Sequence, residues 1–138
     1  MKKNMNNNSL ISLISGLKNL KQAGAVDIAS IKEAENALGL EFAKDYISYL
    51  ESFGQIEANG IELTGISKHK STSVIEITRR ERKLGNMPED FYVIEDLGID
   101  GIVYSQNKDG EIVELIPHRE PVIFAASLQE YIEKSQKM

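Results

Sequence analysis

The chain has 138 residues, of which 41% are hydrophobic and 27% charged, and its formal net charge is −5. That length and balance fit one soluble globular domain, residues 1–138, able to bury a core. The lack of cysteine excludes a disulfide framework, a thiolate nucleophile and cysteine-ligated zinc, and it fits a reducing compartment.

Lys2 and Lys3 imitate the charged start of a secretory signal, and Ala23-Gly24-Ala25 imitates its cleavage site. The apolar run between them is short and broken by Ser12, Ser15 and Gly16, and Lys18 and Lys21 follow it. No apolar stretch is long enough to span a bilayer. The expected location is the cytoplasm, with no membrane partner.

Residues 1–8 are rich in lysine and asparagine and are expected to be frayed. Leu10, Leu13, Ile14, Leu17 and Leu20 then recur at helical spacing, with Ser9 as N-cap and Gly24 as the stop. Ser30-Ile31-Lys32-Glu33 has the form of a capping box, Ile31, Ala34 and Leu38 make the inner stripe, and Gly39 ends the second helix. Glu35 interrupts that stripe, either as a buried functional acid or, the favoured reading, as a carboxylate hydrogen-bonded to nearby backbone or a cation. A third helix carries Phe42, Tyr46, Tyr49, Leu50 and Phe53 on one face and stops at Gly54.

Gln55–Ile66 reads as short strands turning at Asn59-Gly60. VIEIT at 74–78 has strand composition, but Ser73-Val74-Ile75-Glu76 is a capping box. Arg79, Arg80, Arg82 and Lys83 fall just before Gly85, where a helix C-terminus favours cations, so the segment is read as a helix. Phe91–Glu95, Ile102–Ser105 and Ile112–Ile116 follow as strands, the last two joined by the Asn107–Gly110 turn. Val122–Ala125 is a further strand, and Ser127-Leu128-Gln129-Glu130 opens a terminal helix. The fold class is α+β, a central and largely antiparallel sheet with flanking N- and C-terminal helices and one inserted helix.

Charge is uneven along the chain. Segment 68–83 has six basic residues against Glu76 and Glu81, a balance of +4, whereas segment 85–121 has nine acids against Lys108 and Arg119, a balance of −7. The basic segment lacks the aromatic platforms of a nucleic-acid site, so no direct nucleic-acid contact is expected.

VIEDLGIDGIVY, residues 93–104, is the place to test for chemistry. Counted from Asp96, Asp100 and Gly101 fit the fifth and sixth positions of a calcium loop, but Gly98 and Asn107 stand where carboxylate ligands are needed. A glycosidase-like carboxylate pair would want a sugar platform, and none is recognisable nearby. His69 and His118 lack ligand spacing, and no nucleophile-elbow, phosphate-loop or dinucleotide motif occurs. No metal or cofactor is expected. The favoured reading is a turn in which Gly98 and Gly101 supply backbone freedom while Asp96 and Asp100 satisfy amides.

The order of these residues resembles the SUKH superfamily, which includes bacterial toxin-immunity proteins and relatives of the yeast cell-wall-assembly regulator. The matching residues are Ile31, Glu35, Leu38-Gly39, Asp45-Tyr46, Leu50, Gly54 and the stretch from Gly60 to Ile66 with Gly65. They continue through Thr78, Arg82, Pro88, Phe91-Tyr92-Val93-Ile94, Gly98-Ile99-Asp100-Gly101, Tyr104, Asp109-Gly110 and Tyr131-Ile132. Ala43 stands where members often have proline.

The resemblance implies a binding protein and not an enzyme, one that neutralises a cognate toxin, often a nuclease. It gives Glu35, Tyr46, Gly65, Gly98, Gly101 and Tyr104 structural roles. A nuclease carries a basic surface for phosphates, which points to the acidic half of this chain as its complement. Glu95, Asp96, Asp100, Glu111 and Glu114 are the candidate contacts, and Glu114 departs from the apolar face it shares with Ile112 and Ile116. The alternative is an intracellular regulatory or scaffold module that binds a host protein.

Overall fold

The chain has the α+β architecture its sequence predicts. The computed structural model describes residues 2–137, with side chains from residue 8 onward. The first helix, α1 (Lys2–Ser15), buries Leu10 and Ile14. Ser9 lies inside α1 and does not cap it. The expected fraying of residues 1–8 lies, Asn8 apart, outside the residues whose side chains are described. The helix ends at Ser15 and not at Gly24. Gly16 and Leu17 amides bond back into its last turn, and Asn19 takes a left-handed φ of 59°, which turns the chain into strand β1 (Lys21–Gln22).

Helix α2 (Ile28–Leu38) starts one turn before the expected serine cap. Asp27 is the N-cap, its carboxylate accepting from the Ser30 amide at 2.8 Å. Both residue types cap well, and Asp27 adds a negative charge at the positive end of the helix dipole. Ile31, Ala34 and Leu38 are buried and Gly39 is a left-handed C-cap, as expected. Helix α3 (Lys44–Phe53) buries Tyr46, Tyr49, Leu50 and Phe53. Phe42, just ahead of it, stands edge-on to Tyr46 and Tyr92 at 5.1 and 4.8 Å between ring centroids. Such pairs add to the burial of the rings themselves.

Strands β2 (Ile56–Ala58) and β3 (Ile61–Glu62) turn at Asn59-Gly60, and with β1 they make a three-stranded antiparallel sheet. A short 3-10 turn, Lys70–Thr72, leads into α4 (Val74–Lys83). Ser73 caps α4 by accepting from the Glu76 amide, so the helical reading of VIEIT holds. The second sheet, also antiparallel, has the order β4 (Tyr92–Asp96), β5 (Val103–Gln106), β6 (Ile112–Leu115), β7 (Val122–Ala125). Its Tyr92, Ile94, Tyr104 and Ile112 belong to the large core, which also takes in residues of α1, α2, α3 and α5 (Leu128–Lys137). On the other side Val93, Val103, Val113 and Leu115 pack with Ile77 of α4.

Two devices knit the layers together. Gly54 and Gly65 let three backbone segments nest: a Cβ on Gly54 would lie 2.1 Å from the Gly24 carbonyl oxygen, and one on Gly65 would lie 1.9 Å from that of Gly54. Helix α5 is anchored at four distant points. Asp45 accepts from the Leu128 amide, Glu95 accepts from the Tyr131 hydroxyl, and Gln136 and Lys134 donate to the carbonyls of Asn59 and Phe124.

Candidate functional site

The stretch around residue 98 is a built turn. Asp96 accepts from the Gly98 amide at 2.9 Å, the Leu97 amide donates to the Ile102 carbonyl and the Ile102 amide to the Ile99 carbonyl, and Gly98, Asp100 and Gly101 all have φ between 55° and 72°. Asp100 reaches that region as a non-glycine, which aspartate tolerates better than most residues. Among the described residues no group of three or more histidine, aspartate or glutamate side chains is placed to hold a metal ion.

The five candidate acids do not share one surface. Glu95 is 6% exposed, accepting from the Glu62 amide at 2.8 Å and from the Tyr131 hydroxyl. It thereby ties the two sheets to α5. Burial pushes its carboxyl above the ordinary carboxylate range, against those two hydrogen bonds. Asp96 is paired with Arg80 at 2.9 Å. Glu114 is half-buried and accepts from the Tyr104 hydroxyl at 2.7 Å, which explains how an acid sits on that face. Asp100 is exposed in the turn after β4. Glu111 is at the start of β6, the end of the sheet opposite that turn.

Among the residues given structural roles, Glu35 is buried and accepts from the Phe42 amide at 2.8 Å, with Lys32 at 3.4 Å, so it fastens the turn between α2 and α3. Tyr46 donates to the Thr64 hydroxyl, which donates in turn to the Val93 carbonyl. Tyr49 donates to the Thr64 carbonyl at 2.6 Å and accepts from the Ile56 amide. Burial holds both phenols in the neutral form, so they remain hydrogen-bond donors.

Sequence reasoning gave Asp45 no role. It accepts from Gln106 at 3.1 Å as well as from the first amide of α5, and burial raises its carboxyl above the usual range. Gln106 also accepts from the Tyr92 hydroxyl, which accepts from the Ala43 amide, so one chain of bonds joins the start of α3, strands β4 and β5, and α5. Its place in the first turn of α3 is the one local signal, and its carboxylate accepts from the first amide of α5.

The basic cluster of α4 is largely spent on the fold. Arg79 donates to the Ala37 carbonyl of α2, Arg80 to Glu81 and Asp96, and Arg82 to the Glu89 carbonyl.

Arg82 Nε apart, the buried polar side chains described are committed to holding elements together, and the architecture is that of a small α+β fold. The chain belongs to the SUKH superfamily: the family model SUKH_5, described as SMI1-KNR4 cell-wall, matches residues 7–136, nearly the whole length. That family consists in general of non-enzymatic immunity and regulatory modules. Among curated proteins none matches the chain.

Proposed function

We propose that the chain is an immunity protein that neutralises a cognate protein toxin, a nuclease in the simplest case, by binding it directly and covering its active site. Membership of the SUKH superfamily over residues 7–136 carries this reading. The −7 balance of segment 85–121 supports it, because a nuclease presents cations where it grips phosphates. Binding of this kind takes place in the cytoplasm and needs no cofactor, nucleic acid or membrane.

The description of the matching family as a cell-wall one favours a second reading, an intracellular regulatory or scaffold module for a host protein. Affinity capture from the native cell separates them. A bound toxin domain, with growth rescued when the two are co-expressed, supports the first reading. A host protein as the sole specific partner, with no protection against toxin, removes it.

A further inference from the structure

Six large hydrophobic side chains stand exposed among the described residues, and four of them, Leu97, Ile99, Val122 and Ile123, are 40%, 62%, 56% and 68% exposed at one end of the four-stranded sheet. Register shows the grouping. Asp96, Val103 and Leu115 form one row across the sheet, so the turn after β4 and the loop after β6 leave from the same end. The two meet there, since a Cβ on Gly101 would lie 2.9 Å from the Pro117 ring. Val122 continues that end, paired with Glu114. Single exposed hydrophobics are ordinary, whereas a group gathered on one end marks a contact surface.

The rim of this end is acidic. With Asp96 tied to Arg80, which also holds Glu81, and Glu95 buried, the other carboxylates at this end are Asp100, Glu114 and Glu120, against Arg119. Addition of a strand to the β7 edge is disfavoured. Phe124 is the extra residue of a bulge, because Ile112 and Val113 pair with Ala125 and Ile123. Its carbonyl is held by Lys134 at 2.6 Å, and the ammonium lies 5.1 Å from the centre of its ring. Bulges and lysines protect strand edges from pairing.

We propose that this end of the sheet is the docking surface for a basic protein partner, with Ile99 and Val122 as its apolar contacts beside the carboxylates of Asp100, Glu114 and Glu120, while Ile123 lies on the opposite face of β7 with Val113. The proposal rests on the immunity reading and names its interface. Apolar burial supplies the holding free energy and the acidic rim steers a lysine- and arginine-rich surface into register.

The test places the photocrosslinking residue p-benzoylphenylalanine at position 99 or 122 of the full chain, and at exposed positions 33 and 51 as controls, in the native cell. The expected result is one adduct shared by positions 99 and 122, mapped to a lysine- or arginine-rich peptide and absent from the controls. Asp100→Lys with Glu120→Lys, at unchanged melting temperature, should reduce that adduct by about tenfold or more. Adducts from the control positions alone would overturn the surface while leaving the immunity reading in place. An adduct to a second copy of the chain would replace the basic partner with self-association. No adduct from any position would remove the surface and the binding reading together.

Discussion

Replacement of Gly65 by alanine tests the nesting of the backbone most directly. Gly65 is not in the left-handed region, so its residue type is required by space and not by φ. The added Cβ would lie 1.9 Å from the Gly54 carbonyl oxygen and 2.8 Å from the Gln55 Cβ, and both neighbours belong to buried residues. Relief needs a shift of about 1 Å or more, since real contacts of this kind stay beyond 3.0 Å. Such a shift pulls on two bonds, Ile66 amide to Gly54 carbonyl at 2.9 Å and Gly65 amide to Thr72 carbonyl at 2.9 Å. Overpacking costs about 1–3 kcal/mol, and each strained backbone bond adds about 1 kcal/mol, for a total of roughly 3–5 kcal/mol. Urea unfolding of Gly65→Ala beside Gly85→Ala measures it. Gly85 has φ +78° with nothing within 4 Å of a Cβ, so its alanine variant reports backbone strain alone, about 1 kcal/mol. A Gly65→Ala loss no larger than that of Gly85→Ala would refute the reasoning.

Leu50→Ala should cost about 2–5 kcal/mol in the same assay, because Leu50 is fully buried in α3; a loss below about 0.5 kcal/mol would put that face outside the core. Gly98→Ala should cost about 1 kcal/mol and Gly101→Ala more, since only Gly101 has Pro117 against it; equal losses, or a melting temperature raised by micromolar calcium, would count against the turn described. Glu95 has a folded pKa raised above its ordinary 4.5, so the native state binds more protons between those two values. Its contribution to stability is therefore full below that ordinary value and is lost as pH rises through the raised one. Urea midpoints of the protein and of Glu95→Gln should diverge as pH rises above the ordinary carboxylate range, and parallel curves would contradict the buried placement. Asp45→Ala removes the acceptor for the Leu128 amide and for Gln106 and should cost about 1–3 kcal/mol by thermal or urea melting, while full stability would show the network to be dispensable.

Where a local rule decides the structure, the chain was legible. Asn59-Gly60, the Ser73 and Ser127 caps and Gly39 are satisfied within a few residues, so α4, α5 and the hairpins stand where expected. The end of α1 was not, because Leu17 and Leu20 keep helical spacing although the helix has ended at Ser15 and Asn19 turns the backbone. The start of α2 was ambiguous for a different reason: Asp27 and Ser30 both satisfy the cap rule, and α2 begins at the earlier one. Glu95 was hidden by the register shift between Val93 and Glu95, which places it opposite Tyr104. Period-two alternation carries no trace of a bulge. The acids of segment 85–121 could be counted from sequence, but Arg80 and Tyr131, which hold Asp96 and Glu95, come from elsewhere in the chain, and Tyr104 reaches Glu114 only through strand pairing.

The four anchors of α5 also set a sequence of events. Its bonds to Asp45, Asn59 and Glu95 span 83, 77 and 36 residues, so each closes only once distant parts of the chain have met. Until they close, Asp45 and Glu95 stand open to water, ionised at neutral pH and well hydrated. The unfinished molecule thus meets its neighbours with charge at the very seam that α5 will cover. Like-charged seams repel, which discourages half-folded copies from joining there while the helix finds its place.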